Sequence, residues 1–174
     1  EEGESLVGSR ITSSDEELLM ATSSGKAIRF PEQEVRIMGR NARGVRGIAM
    51  GADDRLIALQ VVRPGWEVLT VTANGYGKRT ELDAYRVQSR GGQGVLTIKT
   101  SERNGEVVSL RLIKPDNEVM LVTSQGTLIR TPVEGISRQG RNTQGVRLID
   151  LDKQEWVVGA ERVEESGAED EAAD

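Results

Sequence analysis

Three segments of this chain repeat one another, and that repetition limits its fold more than any bulk property does. ELLMATSSGKAIRF begins at Glu17, EVLTVTANGYGKRT at Glu67 and EVMLVTSQGTLIRT at Glu118, at spacings of 50 and 51 residues. Within each copy a first glycine is followed 19 residues later by a second: Gly25 by Gly44, Gly75 by Gly94, Gly126 by Gly145. The second glycine sits in a loop reading GRNARGV (39–45), SRGGQGV (89–95) and GRNTQGV (140–146). Chance similarity does not keep both a period and an internal offset over three copies.

Ser24-Gly25, Asn74-Gly75 and Gln125-Gly126 each divide two β-rich runs, the signature of a hairpin turn that needs a positive φ. Two further runs follow the second glycine; in the middle repeat these are 95–100 and 107–113, joined through Asn104-Gly105. Each repeat therefore offers about four strands, the content of one propeller blade. Residues 6–11 align with 56–61 at an offset of 50 and are expected to be the last strand of a preceding blade. The expected fold is all-β and propeller-like: a strand remnant in 1–16, blades in 17–66, 67–117 and 118–163, and a tail in 164–174. Three blades form a partial array, which leaves two end faces uncovered.

Composition fits this reading. Hydrophobic residues make up 36% of the chain and aromatics 3%, so Val, Leu, Ile and Met must build the core; 20 glycines against 4 prolines supply the turns. The chain has no Cys and no His. That excludes a Cys/His zinc site, a Ser-His-Asp triad and a Cys nucleophile, and provides no disulfide. No apolar run approaches membrane-spanning length, and none resembles a signal-peptide core. A soluble, cytoplasmic, cofactor-free protein is expected.

The net charge of −5 averages over unlike parts. Residues 1–17 carry −5 and 161–174 carry −6, while 18–160 carry +6. The tail EESGAEDEAAD has little apolar content and is expected to be disordered. It would act either as a solubiliser or as a tethered polyanion competing for the basic body.

Basic residues recur in register across the body. Arg29, Arg79 and Arg130 each follow the hairpin glycine by four residues, and Arg40, Arg90 and Arg141 each precede the second glycine by four. Arg36 and Arg86 share a third register, with Arg138 one residue off it; Arg46 and Arg147 share a fourth, where the middle repeat has Leu96. Arg43 lies in the first glycine loop, Lys26 and Lys78 near the hairpins. Equivalent positions in an arc of blades form a stripe, which suits a phosphate backbone read by guanidinium forks. Few aromatics accompany it, which argues for duplex rather than stacked single strands. The opposing reading is structural: such arginines pair with carboxylates between blades, Glu81 and Asp83 being candidates for Arg79.

At these motifs the sequence resembles the C-terminal-domain family of bacterial DNA gyrase A subunits. The hairpin form is carried by NGYGKRT (74–80) and GTLIRT (126–131), the loop form by GRNARGVRGI (39–48) and GRNTQGVRLI (140–149). The resemblance spans about 6–163 and implies a β-pinwheel, a propeller-like disc whose blades exchange strands and whose basic rim wraps duplex DNA. It implies Arg29, Arg36, Arg40, Arg43, Arg46, Lys78, Arg79, Arg86, Arg90, Arg130, Arg138, Arg141 and Arg147 as DNA contacts. It implies a non-catalytic part of an ATP-dependent supercoiling enzyme, nucleoid-associated, partnered by the rest of the gyrase A protein and by the gyrase B protein in an A2B2 heterotetramer. The family's full domain has five or six blades and a basic box of the form Q-R-R-G-G-K-G. Here the nearest match is QSRGGQG (88–94), so the later blades are implied. The related topoisomerase IV domain shares the blade pattern, and a protein-interaction propeller is a further alternative. Against the latter, the chain lacks Gly-His and Trp-Asp signatures, and Trp66 and Trp156 are not repeat-equivalent. Asp53, Asp54, Asp83 and Asp150 do not recur in register, which argues against an enzyme.

Overall fold

Apolar and β-branched runs on either side of a tight glycine turn zip into hairpins, and this happens three times. The computed structural model describes residues 5–163. In the first repeat β1 (Glu17–Thr22) and β2 (Lys26–Pro31) form the hairpin and β3 (Leu56–Val61) returns beside β1. The second has β4 (Glu67–Thr72) and β5 (Tyr76–Glu81), the two-residue β6 (Val95–Leu96) and β7 (Val107–Ile113). The third has β8 (Glu118–Thr123), β9 (Leu128–Pro132), β10 (Val146–Arg147) and β11 (Val157–Val163). The hairpin glycines Gly25, Gly75 and Gly126 have φ of +85°, +80° and +87°, a region L-residues with a Cβ avoid.

The short strands do not join their own repeats. The first sheet runs β3-β1-β2-β6, with Lys26 opposite Leu96 and Ala27 opposite Val95. The second runs β7-β4-β5-β10, with Gly77 opposite Val146 and Tyr76 opposite Arg147. The third is β11-β8-β9. Each four-stranded sheet is thus three strands of one repeat plus one donated by the next, and the third sheet, among the described residues, has no donor.

Two expectations need correction. The run 95–100 pairs as a strand only over Val95–Leu96. Beyond it, the Thr97 and Ile98 amides both turn onto the Gly25 carbonyl (2.8 and 3.4 Å). Buried Asn104 then closes the bend, accepting from the Ser101 amide (2.8 Å) and donating to the Lys99 carbonyl (3.0 Å). Residues 6–11 form no strand, and Leu6 and Ile11 are exposed. A strand needs a hydrogen-bonded neighbour, and among the described residues this segment pairs with none. The expected disordered tail at 164–174 lies outside the described residues.

The core sits between sheets. Leu19, Ala21 and Ala27 of the first sheet pack with Val68, Leu110 and Leu112 of the second, around Leu82 and Tyr85. Leu69, Val71 and Ile113 of the second pack with Val119, Leu121 and Ala160 of the third. The middle sheet is covered on both faces, so all six residues of β4 are buried, the polar Glu67, Thr70 and Thr72 included. Each fully buried Leu or Val contributes roughly 1.5–3 kcal/mol. Among the described residues nothing covers the third sheet's far face, and Leu128, Trp156 and Val158 stay about half exposed or more.

Candidate nucleic-acid interface

The segment between hairpin and second glycine leaves each sheet as a loop, and backbone hydrogen bonds stack these loops blade on blade. Gln88 donates its amide to the Arg29 carbonyl (2.8 Å), and Gln139 makes the same bond to Arg79 one blade on (2.9 Å). The Gly91 amide donates to Gly47 O (2.7 Å), and the Lys99 amide to Thr143 O (2.9 Å). Segments 34–49, 86–99 and 137–149 therefore form one continuous ridge that carries most of the recurring arginines.

Two of the four arginine registers hold the ridge together. Arg29 donates Nε to Glu17 Oε2 (2.6 Å) and Nη1 to the Leu82 and Tyr85 carbonyls of the next repeat (3.3 Å each). Arg79 repeats the arrangement on Glu67 (3.1 Å), Ile136 O (2.7 Å) and Glu134 O (3.3 Å). Both guanidiniums are mostly buried, at 16% and 15% exposure. Arg130, their equivalent, pairs with Glu118, remains 54% exposed and among the described residues reaches no carbonyl. In the second register Arg90 donates to Glu34 O (3.0 Å) and Arg46 O (2.5 Å), and Arg141 to Leu96 O (2.9 Å). Arg46 and Leu96 are repeat-equivalent, so this too is one clamp used twice.

Arg29, Arg79, Arg90 and Arg141 are therefore committed to interblade carbonyls rather than presented outward, because the ridge's inward-facing C=O groups require donors. The expected partners Glu81 and Asp83 do not hold Arg79; Glu67 does, and Glu81 instead pairs with Arg138 (3.0 Å). Lys78 departs furthest from expectation. It is fully buried, with Nζ donating to Gly140 O, Arg141 O (2.7 Å) and Thr143 Oγ1 (3.0 Å), and so ties down the third glycine loop.

Burial and the nearby Arg141 charge lower the Lys78 pKa from 10.5 to about 8. Below pH 8 both folded and unfolded chains hold this proton. Between about 8 and 10.5 only the unfolded chain does, so stability rises with pH there, by about 1.4 kcal/mol per unit from this group. Urea midpoints of wild type and Lys78→Met from pH 7 to 10 check this: the difference shifts in favour of wild type as pH rises, and a pH-independent difference refutes it.

The remaining cations face outward. Arg36, Arg40, Arg46 and Arg86 are exposed, and their side chains have no partner among the described residues; Arg43 is exposed on the same loop. Arg138 bonds Glu67 Oε1 (2.5 Å) and Arg147 bonds Asp150 (2.7 Å), yet they are 54% and 60% exposed. Two outward cations have no basic counterpart in the other repeats. Lys99 is aligned with Ala49 and Asp150, and Arg103 with Asp53 and Gln154, so recurrence in register could not reveal either. Arg103 and Arg147 lie 4.8 and 5.7 Å from the Tyr76 ring centroid. The Arg147 hydrogen bond, seconded by Arg103, lowers the Tyr76 phenol pKa.

The described residues contain no cluster of three or more acidic, His or Cys side chains able to hold a metal, and no helix long and apolar enough to cross a membrane. Tyr85 is buried with its hydroxyl 2.5 Å from Thr97 Oγ1, and burial raises its pKa.

A family model described as the DNA gyrase C-terminal domain, β-propeller, matches residues 16–63, 67–114 and 117–164. The chain is 48% identical to the DNA gyrase A protein of Pseudomonas aeruginosa over 172 residues, 98% of this chain and 19% of that protein. It is 46% identical to the gyrase A protein of Escherichia coli K12 over 164 residues, 94% of this chain and again 19% of that protein. The chain thus spans about a fifth of the length of these relatives. A solved DNA gyrase A C-terminal domain superposes with a TM-score of 0.81 at 27% identity, covering 87% of this chain and 52% of the other. The C-terminal domain of DNA topoisomerase IV shares the fold, with a TM-score of 0.84 at 23% identity over 89% of this chain and 49% of the other.

Proposed function

The chain belongs to the DNA gyrase C-terminal β-propeller family, and from that premise we propose that it is a non-catalytic module that binds duplex DNA along the loop ridge and bends it. The observation that carries this reading is the run of exposed cations without side-chain partners, Arg36, Arg40, Arg46 and Arg86, on consecutive blades of one ridge. Unpaired guanidiniums displace counterions from phosphates, so binding is salt-dependent and largely blind to sequence. Bending the duplex costs a few kcal/mol, offset by contacts spread along the curve.

The clamped registers act indirectly. Arg29, Arg79, Arg90, Arg141 and Lys78 fix the ridge so that the outward cations keep their spacing, while Arg43, Arg130, Arg138, Arg147, Lys99 and Arg103 extend its positive field. No cofactor enters this mechanism. As part of a gyrase A protein the module would work beside the gyrase B protein in an A2B2 enzyme in the cytoplasm, turning wrapped DNA into negative supercoils through ATP-driven strand passage performed by other domains. Identities of 44–48% to gyrase A proteins over 94–98% of the chain favour this over a topoisomerase IV role.

Fluorescence anisotropy on unrelated duplexes across a salt series tests the proposal. Wild type is expected to bind all of them with a steep inverse salt dependence. Changing Arg36, Arg46 and Arg86 together to Ala removes side chains that make no internal bonds, so thermal unfolding stays put. The log–log salt slope flattens by about 0.9 for each phosphate left without its cation. An unchanged affinity and slope in the folded triple variant sinks the ridge as the DNA path.

A further inference from the structure

The seam between the second and third blades carries a group of side chains that the seam before it lacks. Tyr76 opens β5 opposite Arg147 of the donated β10; it is buried, and its hydroxyl accepts from Arg147 Nη2 (3.3 Å). The Arg147 and Arg103 guanidiniums lie 5.7 and 4.8 Å from the centroid of that one ring. Arg103 reaches it from the connection between β6 and β7. Its neighbour Asn104 is buried there and donates to Lys99 O and Gln144 O (3.0 and 3.1 Å), so the turn that carries Arg103 is itself fixed. At the preceding seam the equivalent positions hold Lys26, Asp53 and Leu96, which cannot form such a group.

Two like charges gathered on one ring repel, and their setting offsets only part of that. Each cation gains from the negative face of the phenol. Arg147 also pairs with Asp150 (2.7 Å), but that carboxylate is 85% exposed, and such pairs are weak. Arg103 meets the neutral Gln144 side chain at 3.4 Å. The group keeps a surplus positive charge, with Arg103 exposed and Arg147 60% exposed on the loop ridge. Guanidiniums held close together, with one exposed carboxylate between the two, are arranged for an anion from outside.

We propose that Tyr76 is a positioning residue that holds Arg103 and Arg147 as a two-pronged clamp on the phosphodiester backbone, giving the DNA path one fixed point at this seam. The inference rests on the ridge being the DNA path. Arg36, Arg46 and Arg86 are held by no side chain among the described residues and can follow phosphates wherever these lie. Arg103 and Arg147 are ordered in advance, so less side-chain freedom is lost when a phosphate arrives. The ring seats both guanidiniums, and the hydroxyl orients Arg147. Each fork then offers paired N–H donors to phosphate oxygens.

NMR of the full chain with ring-labelled tyrosine reads the site, because the chain has only two tyrosines. Burial pushes the Tyr85 phenol up, whereas the Arg147 hydrogen bond, with Arg103, holds the Tyr76 phenol below its ordinary value, so Tyr76 titrates first. A phosphate seated on the two arginines cancels their pull, and a short duplex at low salt is expected to raise the Tyr76 pKa. Anisotropy on the same samples reports binding. Bound duplex with an unmoved Tyr76 titration overturns the clamp and leaves the ridge standing as the DNA path; no binding at all removes both. Tyr76→Leu is expected to weaken binding about tenfold, the effect of one charge-assisted hydrogen bond. Tyr76→Phe, which keeps the ring, is expected to fall between it and wild type. With Arg103 and Arg147 both changed to Ala, Tyr76→Leu is expected to cause no further loss. An equal loss with and without the two arginines means that the ring serves only the fold, and overturns the proposal.

Discussion

Gly94→Ala is expected to take away most of the folding free energy, whereas Gly44→Ala, at the equivalent position one repeat earlier, is expected to leave a folded protein. Both glycines have a positive φ, +70° and +81°, so a side chain at either costs about 1–2 kcal/mol in backbone strain. What separates them is the neighbour. A Cβ on Gly94 would lie 2.4 Å from the carbonyl oxygen of fully buried Ala27, a backbone atom paired within the sheet that cannot swing aside, while a Cβ on Gly44 meets nothing within 4 Å. Relieving the Gly94 clash means pulling β6 off β2 and opening the joint between the first two blades. The loss should exceed about 4 kcal/mol, the range reserved for broken packing, against a typical total of about 5–15. Thermal unfolding then shifts down by roughly 10 °C or more for Gly94→Ala and by a few degrees for Gly44→Ala. Equal shifts would mean that backbone conformation alone, not interblade contact, fixes these glycines.

The second large effect contrasts two arginines in one register. Arg79→Ala removes a donor from Glu67, whose side chain is 5% exposed, and from the Ile136 and Glu134 carbonyls. Arg138 keeps its hold on Glu67 Oε1, but the rest of the network is left short of donors. Breaking one side of a buried charge network costs about 3–5 kcal/mol. Arg130→Ala removes only a pair with Glu118 at 54% and 37% exposure, and such pairs are worth about 0–1 kcal/mol. Urea denaturation of the two variants checks the contrast. If both cost the same small amount, the register is not a structural clamp, and Arg79 is again a candidate for touching DNA.

The same contrasts show where reading residues in register succeeds and where it misleads. Register located the glycine loops and the recurring arginines, because a position that serves the same role in each blade demands the same residue each time. It could not separate residues that recur to bind something outside from residues that recur to bind the next blade: Arg36 and Arg86 face solvent, while Arg29 and Arg79 face carbonyls. It also passed over Lys99 and Arg103, whose counterparts are not basic, since a ligand-facing charge need not repeat. Lys78 looked like a surface cation beside a hairpin and is instead buried under the third loop.

The hairpins, the period and the all-β class follow from the sequence alone, because a glycine that needs positive φ between two apolar runs is a local requirement, satisfied within about a dozen residues. Which sheet a strand joins is not local. Val95–Leu96 and Val146–Arg147 carry strand residues in either setting, and only the packed array assigns them to the preceding blade, where the hairpin's open edge supplies the hydrogen bonds their own repeat does not. The role of each arginine is decided in the same place: a guanidinium becomes a clamp or a free charge according to whether the neighbouring blade brings a carbonyl within reach.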